Sequence, residues 1–263
     1  TPATSARAPS LLDPAAVNNY ALAGGLRMGA DGRHPDVATI PRLINGYDEQ
    51  ALEAALRLRD AGVDCRIAAV TIGTDPGGML KHCAAMGADE IVAIDPGSLE
   101  LDGAGVAAVL AAWIHQSGGA ELVLCGRQAS DDDQGVVPLL LAEGLGHAVS
   151  TLARDLAFAD GLLTVTRATP EGDEVVRGRL PAVVTVSNEL GAPRFPTAKA
   201  KMAARKMAAT VVGIADLGLE AAALAPDIVL QRQYVPQVQG SCEFISGSPG
   251  EIAKALMERI RAA

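Results

Sequence analysis

The residues best suited to chemistry lie in one stretch, Gly126–Gly135, which reads GRQASDDDQG. It holds a guanidinium (Arg127), two amides (Gln128 and Gln134), a hydroxyl (Ser130) and three successive carboxylates (Asp131, Asp132 and Asp133) between glycines, with Ala129 as its one apolar residue. A short apolar run, Leu122-Val123-Leu124, leads into it, and the apolar sequence resumes at Val136 as VVPLLLAEGLG with helix-like spacing. The unit therefore reads strand, polar loop, helix. In a parallel sheet such a loop lies at the carboxyl edge, where backbone amides and a helix N-terminus receive phosphate. Carboxylates repel phosphate, so the aspartates suit ribose hydroxyls or base amino groups, a cap on the following helix, or a cation; the sequence leaves these alternatives open.

Other reactive groups are dispersed. His34, His82, His115 and His147 are scattered, with no Ser-His-Asp spacing, metal-ligand cluster or glycine-rich Walker loop around them, and they read as structural or surface groups. Cys65, Cys83, Cys125 and Cys242 form no CxxC pair, which disfavours zinc and a disulfide framework and suits buried thiols. A second polar stretch, Leu190–Met207 (LGAPRFPTAKAKMAARKM), carries Arg194, Lys199, Lys201, Arg205 and Lys206 on an acidic protein. It is either a basic contact face or a solvated helix flank.

The elements that must position these groups follow from periodicity. Asp48–Ala61 predicts a helix entered through Ile44-Asn45-Gly46-Tyr47, with acidic residues in its first turn and Gly62 as its stop. Val63–Gly73 predicts a strand, Gly77–Met86 a helix, Glu90–Ile94 a strand, Gly103–His115 a helix and Glu121–Cys125 the strand before the polar loop. Strands alternating with helices at this spacing predict an α/β class, with right-handed crossovers and a mostly parallel sheet covered on both faces. The period then changes to two over Thr151–Phe158, Leu162–Arg167 and Glu174–Leu180, a small antiparallel insert, before Ala182–Val186 returns to the sheet. Thr197 is placed to cap the basic helix, Gly213–Leu230 reads as a linker, Gln231–Ile245 as an extended arm, and EIAKALMERIRA as a final helix that docks through Ile252, Leu256 and Ile260. Thr1–Pro41, with five prolines, predicts an irregular arm with at most one short helix, around Ala15–Leu26, and no obvious strand.

Composition sets bounds. The chain has 263 residues, 49% hydrophobic and 20% charged, enough for one large core or a core with a smaller lobe. A net charge of −9 argues against a nucleic-acid surface, which needs a basic footprint. The longest apolar run, Ala104–Ile114, is shorter than the roughly 18 residues of a membrane helix, and no signal-peptide pattern precedes Pro9, so no membrane insertion and a cytoplasmic location are expected.

The order of features resembles the beta subunit of electron transfer flavoprotein and its FixA-type relatives. The matching residues are Asn45-Gly46-Tyr47-Asp48-Glu49 followed by ALEAALRLRD, Ala84–Asp89, Gly126–Asp133, Leu180–Thr185, and Pro193-Arg194-Phe195-Pro196-Thr197 with its basic helix. The resemblance implies a doubly wound, adenine nucleotide alpha hydrolase-like sheet over residues 1–212 and a C-terminal arm and helix over 213–263 that pack on a partner subunit.

It further implies a nucleotide in this subunit, usually a structural AMP and in electron-bifurcating members a second FAD. Its pocket maps onto Asn45, Gly46, Tyr47 and Asp48, onto Ile72 and Gly73, and onto Gly126–Gly135 with Val136, the phosphate lying near Gln134, Gly135 and Val136. The implied partners are an alpha subunit holding the redox-active FAD, a flavin dehydrogenase as electron donor and a quinone oxidoreductase as acceptor. This chain would supply no catalytic acid, base or nucleophile. Docking to the donor maps onto Arg194, Phe195, Pro196, Thr197, Ala198, Lys199, Lys201, Met202 and Arg205.

Three departures shape these expectations. The family opens on an apolar strand and a KxVPD-like turn, so the first strand is expected ahead of Thr1. The loop after Asp133 is about one residue short, and Ala198 stands where the family carries an anchoring leucine. A non-redox adenine-nucleotide module, homodimeric and without a second subunit, is the other class to which an alternating α/β pattern belongs.

Overall fold

The structure is a computed structural model that describes residues 8–13, 16–18, 27–32, 36, 42–232, 234 and 244–262. Buried apolar strands alternate with amphipathic helices along most of the chain. β1 (Ala8–Asp13), β2 (Ala16–Asn18) and β3 (Arg42–Ile44) precede α1 (Gly46–Asp60). β4 (Cys65–Ile72), α2 (Gly77–Met86), β5 (Glu90–Asp95), α3 (Gly103–Gln116), β6 (Leu122–Gly126) and α4 (Val137–Leu145) follow. The hairpin strands β7 (Ala148–Ala159), β8 (Leu162–Thr169) and β9 (Gly172–Gly178) lead to β10 (Ala182–Val186), α5 (Ala198–Ala204), β11 (Thr210–Gly213) and α6 (Pro249–Ala262).

Nine strands form one sheet in the order β11-β5-β4-β1-β6-β10-β7-β8-β9, all running the same way except β8, which is antiparallel to both of its neighbours. Successive strand residues face opposite ways, which separates two cores. Ile67, Ala69, Ile91, Leu122, Leu124 and Val184 pack with α1 and α2 on one face. Ala68, Val70, Val92, Val123, Cys125 and Val183 pack with α3 and α4 on the other. The sheet is thus doubly wound, and its strand order turns back between β1 and β6.

Three expectations are corrected. Thr1–Pro41 was to be strand-free, with the first strand ahead of it; instead Ala8–Asp13 pairs with β4 on one side and β6 on the other, at the centre of the sheet. Two prolines obscure this strand in the sequence: Pro9 stands second in it, opposite Arg66 of β4, and Pro14 follows Asp13 in the chain. The helix expected around Ala15–Leu26 gives way at Ala16–Asn18 to a strand paired with Arg42–Ile44, and Asn19–Leu26 lie outside the described residues. The antiparallel insert forms as expected, and because β7 runs parallel to β10 it continues the main sheet. Gly213–Leu230, read as a linker, follows the edge strand β11 and docks two short turns onto α3 through the buried Ile214 and Leu224. Of the extended arm, Gln233 and Val235–Glu243 lie outside the described residues.

Candidate nucleotide site at the strand reversal

The first part of the site is a close approach between α1 and the end of β6. Asp48, only 4% exposed, accepts a hydrogen bond from the Gly126 N–H at 2.5 Å through Oδ1 and one from Asn45 Nδ2 at 2.7 Å through Oδ2. Asn45 Nδ2 also donates to the Gln128 carbonyl at 2.8 Å, so one buried amide ties α1 to the polar loop. Gly126 permits this contact: a Cβ there would lie 2.7 Å from Asp48 Oδ1, 2.8 Å from Tyr47 Cβ and 2.9 Å from the Asp48 backbone nitrogen. Asn45 Oδ1 is buried and has no hydrogen-bond partner.

The loop after β6 is shaped by its own polar groups. Gln128 Nε2 donates to Asp133 Oδ1 at 2.7 Å, and Asp132 Oδ1 accepts from the Gln134 N–H at 3.2 Å. Asp133 and Gly135 take positive φ values of 56° and 66°, the second without the Cβ penalty. Arg127 swings away from the cavity, its guanidinium 4.9 Å from the centroid of the Tyr47 ring, with Nε buried and unpartnered. The Arg127 N–H donates to the Val186 carbonyl at 3.1 Å, fixing the loop's start to β10.

Between this loop and α3 lies a cavity of about 210 Å³, lined by Asp48, Leu101–Gly103, Val106, Cys125, Gly126, Gln128, Ala129, Asp132 and Gln134–Pro138. Neither α1 nor α4 has a side-chain cap, whereas α3 is capped by Asp102 Oδ1, which accepts from the Gly105 N–H at 2.9 Å. Asp102 Oδ2 accepts from the N–H groups of Asp227 and Ile228 at 2.9 and 3.2 Å. These bonds, the Gly105 N–H foremost, hold the Asp102 carboxyl below its ordinary range. The uncapped α4 terminus directs positive potential into the cavity, and three carboxylates on its walls offer acceptors for hydroxyl or amino protons.

The structure gathers the expected residues unevenly. Asp48, Gly126, Gln128, Ala129, Asp132, Gln134, Gly135 and Val136 line the cavity. Asn45 lies behind Asp48, while Gly46, Tyr47, Arg127, Ser130, Asp131 and Asp133 border the site without lining it. Ile72 and Gly73 close β4, with β1 between them and β6. Sequence reasoning missed the α3 side, Leu101, Asp102, Gly103 and Val106, although an aspartate just ahead of an apolar helix is a start signal.

The basic stretch forms a second feature. Glu53, 5% exposed, accepts from Arg194 Nε at 2.8 Å and Nη2 at 3.2 Å, from the Arg194 backbone N–H at 3.1 Å, and from Arg57 Nε at 3.1 Å. Arg194 Nη2 also meets Asp60 Oδ2 at 2.7 Å, and Arg57 Nη1 donates to the Leu190 carbonyl at 2.9 Å. The loop is thereby clamped to α1, with Pro196 buried beneath it and Phe195 82% exposed. Thr197 Oγ1 accepts from the Ala200 N–H at 3.2 Å and caps α5, as its position predicts. Lys201 Nζ lies 4.0 Å from the Phe195 ring centroid, and Met202, Lys199 and Arg205 are exposed beside it. Cys83 is fully buried, its thiol pushed up to about 12 chiefly by burial and further by Asp48 and Glu49, which makes it inert as a nucleophile. No helix among the described residues is long and apolar enough to cross a membrane.

Known proteins resemble this chain over most of its length. The profile described as the electron transfer flavoprotein domain matches residues 37–217. Over 228 residues the chain is 32% identical to the caffeyl-CoA reductase-Etf complex subunit CarD of Acetobacterium woodii, a span of 84% of this chain and 87% of that protein. It is 33% identical over 184 residues to the electron transfer flavoprotein subunit beta of Mycobacterium leprae, covering 68% and 69% of the two chains. To the subunit of the same name from Megasphaera elsdenii it is 32% identical over 198 residues, covering 72% and 71%.

Proposed function

The chain belongs to the electron transfer flavoprotein family, among proteins named as its beta subunit, and from that premise we propose that it holds an adenine nucleotide beside a flavin carried by a companion alpha subunit. The observation that carries the reading is the cavity at the end of β6, where an uncapped helix N-terminus and wall carboxylates converge at the reversal of strand order. The donor set fits a nucleoside phosphate. Amides of Gly135–Val137 at the start of α4 would hold phosphate oxygens, and Asp132 and Asp102 would accept from ribose or base protons. AMP is the nucleotide proposed, and the adenosine half of a second FAD is the alternative.

Flavin, when bound, supplies the redox chemistry. The residues of this chain do the rest: they grip the nucleotide, wall off the flavin and present a contact face. Electrons would arrive from a flavin dehydrogenase and leave to a quinone oxidoreductase or another acceptor. The clamp of Glu53 on Arg194 supports a docking role for the loop, because it holds Phe195, Met202, Lys199, Lys201 and Arg205 toward solvent on a body of net charge −9. The segment beyond residue 212 ends in α6, which buries none of its residues on this chain and leaves Leu256, Met257 and Ile260 exposed, as a helix that packs on the companion subunit would.

Mass spectrometry of small molecules released from the purified native complex tests this. One FAD and one AMP per heterodimer is the expected outcome, two flavins would select the second-FAD reading, and a nucleotide-free chain without a companion subunit would refute both.

A further inference from the structure

Phe195 is 82% exposed between two anchored neighbours: Arg194 is tied to α1 by Glu53 and Asp60, and Pro196 is buried. The ring is therefore displayed before any partner arrives, and little freedom remains to be lost on contact. Aromatic residues are enriched at the centres of protein interfaces, and a preformed one binds without the cost of ordering.

Its place in the fold sets it apart from the companion subunit. Leu190 and Met207, at the two ends of the stretch, pack into the core on the α1 and α2 face of the sheet. The segment beyond residue 212 lies on the opposite face, docked on α3 through Ile214 and Leu224 and held at the start of α3 by Asp102. The chain that leads to α6 thus runs along one face, and the loop of Phe195 is carried on the other.

Cations surround the ring without carboxylates to match. Lys201 Nζ lies 4.0 Å from the ring centroid. At the far end of α5, a helix of seven residues and so about 10 Å long, a groove of about 420 Å³ is lined by Lys81 of α2 with Arg205 and Lys206. No carboxylate is on its walls. Arg57, Arg59 and Arg66 on α1 and β4 each meet an Asp or Glu, whereas Lys81, Lys199, Lys201, Arg205 and Lys206 form no ion pair among the described residues, on a chain of net charge −9.

A ring that enters an apolar pocket takes the Lys201 ammonium with it, and a buried charge without a partner is strongly unfavourable. The receiving surface must then bring a carboxylate to Lys201 and others to the groove. Granted the loop's docking role, on which this rests, we propose that Phe195 is the anchor by which this chain binds its electron donor. The donor presents an apolar pocket rimmed by carboxylates that reach along α5 to Lys81 and Lys206. The same cations attract an acidic face before contact, which makes association salt-dependent.

Stopped-flow reduction of the purified native complex by a panel of purified flavin dehydrogenases tests this, with the second-order rate constant read at several salt concentrations. For the dehydrogenases that reduce the wild type, Phe195→Ala is expected to lower the rate constant roughly tenfold or more and Phe195→Tyr to retain it. Lys81→Glu with Lys206→Glu is expected to lower it severalfold and to flatten its fall with salt. All three side chains are exposed, so melting and sedimentation should show wild-type stability and an intact heterodimer. Should Phe195→Ala melt early, the salt dependence of the charge reversal decides. Arg194→Ala, which frees the loop, separates the proposal from its premise: if it slows reduction and Phe195→Ala does not, the loop docks and the anchor is wrong, and if neither does, the docking reading fails as well. A salt dependence unchanged by the charge reversal would overturn the acidic partner. Loss of the companion subunit from Phe195→Ala would overturn the proposal by giving the ring to that subunit, and a wild-type flavin that no dehydrogenase reduces would refute the premise and the proposal together.

Discussion

Replacing Gly126 by alanine puts a methyl group where the structure has no room. The added Cβ would lie 2.7 Å from Asp48 Oδ1, 2.8 Å from Tyr47 Cβ and 2.9 Å from the Asp48 nitrogen. Two of those atoms belong to the rigid start of α1, so relief requires that helix end to retreat by roughly 0.5–0.8 Å toward ordinary contact at about 3.5 Å. Overpacking of this size costs about 1–3 kcal/mol. Lengthening the bond from the Gly126 N–H to the buried Asp48 carboxylate adds about 1 kcal/mol, part of the worth of a charge-assisted hydrogen bond. For a chain of this size the sum lowers Tm by about 5–12 °C. Asp48 is also a wall of the cavity, and displacing it should weaken nucleotide binding roughly tenfold or more. Calorimetry on the purified complex, with chromatography of the nucleotide released on denaturation, measures both effects. Gly46→Ala is the control, because a Cβ there meets nothing within 4 Å. A Gly126→Ala complex that melts with the wild type and retains its full nucleotide would refute the close-approach argument.

The remaining expectations concern three other positions. Burial raises the Glu53 carboxyl, but hydrogen bonds from Arg194 and Arg57 outweigh it and leave the group below its ordinary 4.5. Its contribution is thus complete above the unfolded-state value and lost as pH falls through the lower folded one, so denaturant midpoints between about pH 3 and 6 should fall for the wild type and flatten for Glu53→Gln. At neutral pH Glu53→Gln should cost about 1–2 kcal/mol, since Arg194 is partly exposed. Asp102→Ala removes the α3 cap and the acceptor for Asp227 and Ile228 together, costing about 1 kcal/mol and speeding amide exchange at those two residues; unchanged exchange would contradict the latch. Because Ala198 stands where the family carries an anchoring leucine, we propose a donor other than the common acyl-CoA dehydrogenases; Ala198→Leu adds an apolar anchor worth about 1.5–3 kcal/mol and should improve electron transfer with an acyl-CoA dehydrogenase roughly tenfold, whereas equal rates would count against a different donor.

The sequence was most legible where structure is local. Gly77–Met86 and Ala182–Val186 form on the residues that their stops and apolar runs predict, because each is bounded by turn residues and buried on a simple period. β1 was not legible: three residues of APSLLD are apolar and a proline sits second, so its place is set by the parallel ladders of β4 and β6 instead of by propensity. β11 is a four-residue edge that makes sense only beside β5. The polar loop after β6 announced itself, since Arg127–Gly135 is polar or glycine apart from Ala129. Its opposite wall did not, because Asp102 reads as a helix cap and only the reversal of strand order brings it to the cavity.

The basic stretch shows why charge in a sequence does not locate a surface. Arg194 is expected among the docking residues with Lys199, Lys201 and Arg205, yet its guanidinium turns inward to Glu53, a helix residue 141 positions away. That inward turn positions the exposed group next to it. With Arg194 held by Glu53 and Asp60, and Pro196 buried, the backbone between them has its side chain directed to solvent, and Phe195 stands out with Lys201 across its ring. The loop's outward character is then that of an exposed aromatic ring with a lysine over it, displayed by an arginine tied back to α1.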